Sequence, residues 1–207
     1  MTIIRDLETG FKDHNVFSIA EARRQLGRTR SKNLSRILSY MKANGMIYSL
    51  GHGTYTFNRN LNVSGFAYSP FYYGLMFAMT IRELWDQNSR PDILTPRKVR
   101  ISNIKVFNGE ESVFVHHVPI KLFFGFDMVK YGGIKVPVSD PEKTLIDLFY
   151  YRVKLSTGDY GGILKAVSYD KLNKYLKFYD VRLASTVMKF AKRYKPAADS
   201  GRLSDPY

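Results

Sequence analysis

Cysteine is absent from the 207 residues. That excludes a disulfide framework and any thiolate metal site. Acidic residues are scarce: 18 Asp and Glu stand against 32 Lys and Arg, a formal net charge of +14. Such an excess bears on partners, with nucleic acid first and an acidic protein or anionic membrane surface second. No run of about eighteen apolar residues occurs, so no membrane-spanning helix is expected. The opening MTIIRDLETGF carries Arg5, Asp6 and Glu8 where a signal peptide needs an apolar run. The cytoplasm is therefore the expected compartment. No phosphate loop, Gly-x-Gly-x-x-Gly or Ser-His-Asp grouping stands out, and no cofactor is expected.

What is present is globular. Hydrophobic residues make up 44% of the chain, enough to bury a sizeable core. The charge is unevenly placed. Residues 1–60 hold 10 basic against 4 acidic residues, residues 61–151 hold 10 against 9, and residues 152–207 hold 12 against 5. Two basic ends flank a nearly neutral middle.

Residues 2–12 have helical spacing at Ile3, Ile4, Leu7 and Phe11. Ser18 and Glu21 have capping-box spacing and open a second helix, which Gly27 ends. After Arg28-Thr29-Arg30, Ser31 is expected to cap a third helix that runs to Gly45. Its apolar stripe is Leu34, Ile37, Leu38 and Met41. Residues 46–50 and 54–57 read as a hairpin around Gly51-His52-Gly53. This order predicts a winged helix-turn-helix over residues 1–60. At about 100° per residue, the face opposite the stripe carries Lys32, Arg36, Ser39 and Ala43, flanked by Asn33, Ser35 and Tyr40. That face has no acidic residue and suits the major groove. Arg28 and Arg30 are candidate phosphate clamps, and His52 is the candidate wing tip. The DNA-binding set is therefore Arg28, Arg30, Lys32, Asn33, Ser35, Arg36, Ser39 and His52.

Asn58 to Ser64 reads as a linker. A mixed second domain is expected over 65–195, with a loose tail over 196–207. Ser69-Pro70 is expected to open a helix reaching Trp85. Strands are expected at 93–95, 98–104, 112–117 and 134–137, with an Asn108-Gly109 turn. Asp140-Pro141-Glu142 has the makings of a helix start, with Asp140 as cap and Leu145, Leu148 and Phe149 as core. Two helices follow over 170–195. The fold class is α+β.

Several segments of this second region carry a resemblance. They are Leu94-Thr95-Pro96-Arg97-Lys98, Val115-His116-His117, Leu122-Phe123-Phe124-Gly125-Phe126 and Val138 to Leu148. Together with the N-terminal winged helix they resemble the AbiEi family, over about residues 15–151. These are antitoxins or transcriptional regulators of type IV toxin–antitoxin systems. The resemblance implies a repressor that binds inverted repeats in its own promoter, with a homodimer on the operator. It also implies a nucleotidyltransferase-like toxin, opposed without a stable complex.

Rival classes stand beside this one. A winged helix can dock a protein partner or RNA instead of DNA. Asp140, Glu142, Lys143 and Asp147 could suggest a metal-dependent nuclease, but Glu142 and Lys143 are adjacent where such nucleases space them. His116 and His117 alternate sides of a strand. Neither a catalytic role nor a metal site is expected. Lys171, Lys174, Lys177, Lys189, Lys192, Arg193 and Lys195, with aromatics interleaved, form a second candidate phosphate-contacting surface.

Overall fold

The capping box at Ser18 forms in full. The Glu21 N–H donates to Ser18 Oγ at 3.2 Å, and the Ser18 N–H donates to Glu21 Oε2 at 2.7 Å. The Ser18 hydroxyl, which donates to Glu21 Oε2 at 2.7 Å, and the Ser18 N–H hold the Glu21 carboxyl below its ordinary range. The computed structural model describes residues 2–99 and 102–194. Lys195 and the expected tail over 196–207 lie outside them.

In chain order the first elements are α1 (Ile3–Phe11), β1 (Phe17–Ser18), α2 (Ile19–Arg30), α3 (Leu34–Ala43), β2 (Tyr48–Gly51) and β3 (Thr54–Thr56). Then come β4 (Tyr72–Tyr73), α4 (Leu75–Ile81), β5 (Asp92–Thr95), β6 (Ser102–Val106), β7 (Glu111–His117), β8 (Phe126–Tyr131) and β9 (Ile134–Ser139). The chain continues through α5 (Pro141–Tyr150), α6 (Gly161–Ala166), α7 (Tyr169–Leu176) and α8 (Val181–Tyr194). The fold is α+β, as expected from the sequence.

The chain divides differently from the expected boundary near residue 60. One unit holds the chain up to Tyr73, Arg90–Phe123 and Met128–Pro137. The other holds Gly74–Ser89, Phe124–Asp127 and the chain from Val138 onward. The reason lies in the segment read as a linker. Residues Leu61–Tyr68 form a 3-10 turn opened by Asn60, whose side chain accepts from the Asn62 N–H. Val63, Ser64, Ala67 and Tyr68 are buried there, so this stretch is interior packing.

In the first unit, α1, α2 and α3 enclose Leu7, Phe11, Ala22, Leu26, Leu34, Leu38 and Met41. The Phe11 and Phe17 rings stack at 4.8 Å. A three-stranded antiparallel sheet in the order β1-β3-β2 closes this core, with Phe17 opposite Tyr55 and Ser49 opposite Tyr55 from the other side. The larger sheet has the order β6-β7-β5-β4-β9-β8. Strands β5 and β7 are parallel, β6 runs antiparallel to β7, and β4 runs antiparallel to β5.

Several expectations are corrected. The helix expected from Pro70 to Trp85 is instead β4 followed by the short α4. Phe71, Tyr72 and Tyr73 are buried, and Tyr72 and Tyr73 pair with Leu94 and Ile93. Sheet pairing there overrides the local helical pattern. The strand expected at 98–104 is Ser102–Val106. Strands β4 and β8 and helix α6 lacked a sequence signal that distinguished them.

In the second unit, α5 starts as expected. The Asp140 carboxylate accepts from the Lys143 N–H at 2.8 Å, and Pro141 takes the first helical position. The helix is buried along most of its length, charged residues included. Lys143 is 0% exposed and pairs with Asp147 one turn on. Its ammonium also reaches the Tyr179 hydroxyl at 3.0 Å and lies 5.6 Å from the Phe124 ring centre. Burial holds this ammonium below its ordinary range, against the opposing pull of Asp147 and Asp140. Asp147→Asn removes the carboxylate that balances this buried charge and is expected to lower stability by about 3–5 kcal/mol. The double replacement Lys143→Met/Asp147→Leu removes both charges and is expected to lose less than the single one. Urea denaturation checks both; a double variant weaker than Asp147→Asn contradicts this account.

Candidate nucleic-acid interface

The interface begins with a break inside α2, ahead of α3. Gly27 has φ 74° and ψ 167°, which stops helical bonding and turns the chain. Gly takes this left-handed backbone without steric conflict. Ser31 does not cap α3. Its backbone is helical and its hydroxyl donates to the Arg28 carbonyl at 3.2 Å. A 3-10 turn over Ser31–Asn33 follows, and α3 starts at Leu34. Lys32 and Asn33 therefore sit on the approach to α3 rather than on its face.

Leu34, Leu38 and Met41 turn into the core, and Ile37 is half-buried. The opposite face is open. Ser35, Arg36, Ser39, Tyr40 and Ala43 are exposed, as are Arg28, Arg30, Lys32 and Asn33 before them. No acidic residue lies between Arg23 and Arg82, so this stretch itself places no carboxylate on the face. A shallow groove runs beside it, lined by Ile4, Asn33, Arg36, Ile37 and Tyr40.

Two of the expected contacts are changed by their surroundings. Arg30 pairs with Asp6 of α1, so its guanidinium is already neutralised. That pairing ties the turn to α1 and corrects the reading of Arg30 as a free phosphate clamp. His52 is exposed, but its ring stands edge-on to Tyr68 at 5.8 Å. The turn around it has φ of 89°, 49° and 69° at Gly51, His52 and Gly53. The hairpin tip is thus laid against Tyr68 instead of projecting freely.

One residue that positions the interface carries no such signal in the sequence. Strand β2 packs beside β6 and the turn at Phe107–Gly109. Asn108 in that turn accepts from the Ser49 N–H at 3.1 Å. Its amide donates to the Lys42 carbonyl at 3.3 Å, one of the terminal carbonyls of α3. Phe107 meets Tyr48 edge to face at 5.5 Å. Arg59 pairs with Glu110 and lies over the Tyr48 ring at 5.7 Å. The Asn108-Gly109 pair signals a turn in sequence, but nothing there names Lys42 or Ser49 as its partners.

The residues that could suggest a nuclease are engaged elsewhere. Lys171 bridges Asp140 at 3.1 Å and Glu142 at 3.2 Å, and Glu142 also accepts from the Ser168 N–H at 2.7 Å. His116 bonds Asp92 at 2.9 Å. Among the described residues no group of His, Cys, Asp and Glu could hold a metal ion. Lys171 is therefore an internal bridge, while Lys174, Lys177, Lys189, Lys192 and Arg193 are exposed.

Comparison with known proteins finds no matching family model and no matching curated protein. Among solved structures the fold is similar to the RV2827C protein from Mycobacterium tuberculosis, with a TM-score of 0.61 at 13% identity. The similarity covers 92% of this chain and 78% of that one. At this identity it speaks to the fold alone.

The Asn108 side chain can be tested without disturbing its backbone. Asn108 has φ 62°, which glycine accepts freely. Asn108→Gly is expected to remove about 1–2 kcal/mol and to lower the melting temperature by about 2–6 °C. An unchanged melting temperature contradicts the role given to this side chain.

Proposed function

We propose that this protein binds double-stranded DNA through α3 and regulates transcription, most simply of its own promoter. The observation that carries the reading is the open, acid-free face of α3, with Arg36, Ser35 and Ser39 on it and Lys32 and Arg28 leading into it. The three helices followed by the β2–β3 hairpin have the order of a winged helix-turn-helix, whose last helix enters the major groove. A short polar face fits base edges there, and the flanking cations fit phosphates. Phosphate contact supplies most of the affinity and makes it salt-dependent.

The resemblance to AbiEi proteins adds a repressor and antitoxin role, with a homodimer on an inverted repeat and a nucleotidyltransferase-like toxin as functional counterpart. A cytoplasmic setting follows from the same reading. Among the described residues no helix is long and apolar enough to cross a membrane. Binding rather than catalysis is supported by the use of Asp140, Glu142, Lys143 and Asp147 inside the second unit.

A gel shift with the promoter upstream of the protein's own gene tests this. Lys32→Ala/Arg36→Ala is expected to abolish selective binding. Both residues are exposed, so stability is expected to change by less than about 0.5 kcal/mol. Selective binding retained by the folded double variant rejects α3 as the reading helix. The second basic surface needs a different test from deletion. Leu172 and Leu176 are buried and the Tyr175 hydroxyl donates to Asp140 at 2.9 Å, so removing α7 opens a core. Replacing Lys174, Lys177, Lys189 and Lys192 with Gln keeps the fold. If they bind phosphates, the slope of log affinity against log salt is expected to fall by about 0.9 for each phosphate that is no longer neutralised; an unchanged slope removes them from the footprint.

A further inference from the structure

An arginine stands where helix-ending chemistry favours glycine. Helix α5 closes with the Val153 N–H donating to the Leu148 carbonyl at 2.9 Å and the Arg152 N–H donating to the Phe149 carbonyl at 3.1 Å. This is the Schellman pattern, whose left-handed residue is usually glycine. Here it is Arg152, at φ 56°. A side chain kept in backbone that glycine would occupy more easily directs attention to what that side chain does.

Arg152 lines a cavity of about 530 Å³ in the second unit, between the end of α5 and the start of α8. The volume lies within the range of small-ligand sites, about 300–1,000 Å³. Arg182, Phe149, Tyr150, Asp180 and Thr186 share its wall. Neither arginine is in an ion pair among the described residues. The Asp180 carboxylate accepts from the Leu183 N–H at 2.9 Å as the cap of α8. Two cations against one anion leave the cavity net positive. The Tyr150 ring is 37% exposed and is held edge-on by Tyr151 at 5.1 Å and Tyr179 at 5.9 Å.

We propose that this cavity binds a nucleotide, with its phosphate on the Arg152 and Arg182 guanidinium groups and its base against the Tyr150 ring. Guanidinium forks match phosphate oxygens in pairs, and an aromatic ring held in place stacks any base. The site belongs wholly to the second unit and stands or falls independently of the DNA reading.

Calorimetric titration of the full chain at physiological salt tests it, using AMP, inorganic phosphate and a 5′-phosphorylated trinucleotide. AMP is expected to bind more tightly than phosphate. Arg152→Gly relieves the left-handed strain, so the variant is expected to be at least as stable as the parent while its AMP affinity falls at least about tenfold. Arg182→Gln is expected to show a similar loss, and Lys32→Ala/Arg36→Ala none. Tighter binding of AMP than of the trinucleotide identifies a free nucleotide as the ligand, and the reverse, when lost in Arg152→Gly and kept in Lys32→Ala/Arg36→Ala, identifies a nucleic-acid end. No AMP binding by the parent, phosphate binding as tight as AMP, or unchanged AMP affinity in both arginine variants overturns the proposal.

Discussion

The first unit depends on one side chain meeting two polar groups at once. Asn108 takes the Ser49 N–H and gives to the Lys42 carbonyl, so one turn of the large sheet holds both the hairpin and the end of α3. The groups it meets belong to an edge strand and a helix terminus, where regular partners run out, and at the Lys42 carbonyl it adds to the Gly45 N–H. Around it, Phe107 on Tyr48 and Arg59 with Glu110 add packing and charge. The helical region and the sheet thereby form one compact unit, and α3 presents its polar face from a fixed base.

A similar logic runs through the second unit, with charge in place of amide. Helix α5 carries Asp140, Glu142, Lys143 and Asp147 into an interior where an unpaired charge is strongly unfavourable. Each finds a partner: Lys143 on Asp147, Lys171 on Asp140 and Glu142, and Tyr175 on Asp140. The same residue types that invite a nuclease reading are used here to join α5 to α7. That arrangement also explains why only part of the basic C-terminal region faces outward. Lys171 bridges acids, while Lys174 and Lys177 remain at the surface.

Function, on this account, is organised by where cations are left uncompensated. On α3 Arg36 is open, whereas Arg30 is neutralised by Asp6. Between the end of α5 and the start of α8, Arg152 and Arg182 line a cavity and form no ion pair among the described residues. The net charge gives an excess of cations; the individual pairings say which of them are left available to an anion.

Much was legible in the sequence because it is local. The Ser18 capping box, the stop at Gly27, the stripe of Leu34, Leu38 and Met41, the glycine-flanked hairpin turn and the Asp140-Pro141 helix start all depend on residues within a few positions of one another. Ser35, Arg36 and Ser39 are exposed for the same reason, since the buried stripe of α3 sets the opposite face. What failed depends on distant partners. Residues 70–73 have a helix-start signal but pair with β5, and the polar stretch before them folds inward around Val63 and Tyr68. Arg30, Lys171 and His52 look alike in sequence to residues that stay free. Only the tertiary structure sets Asp6, Asp140 and Tyr68 beside them, because side chains far apart in the chain meet only when the core between them is packed.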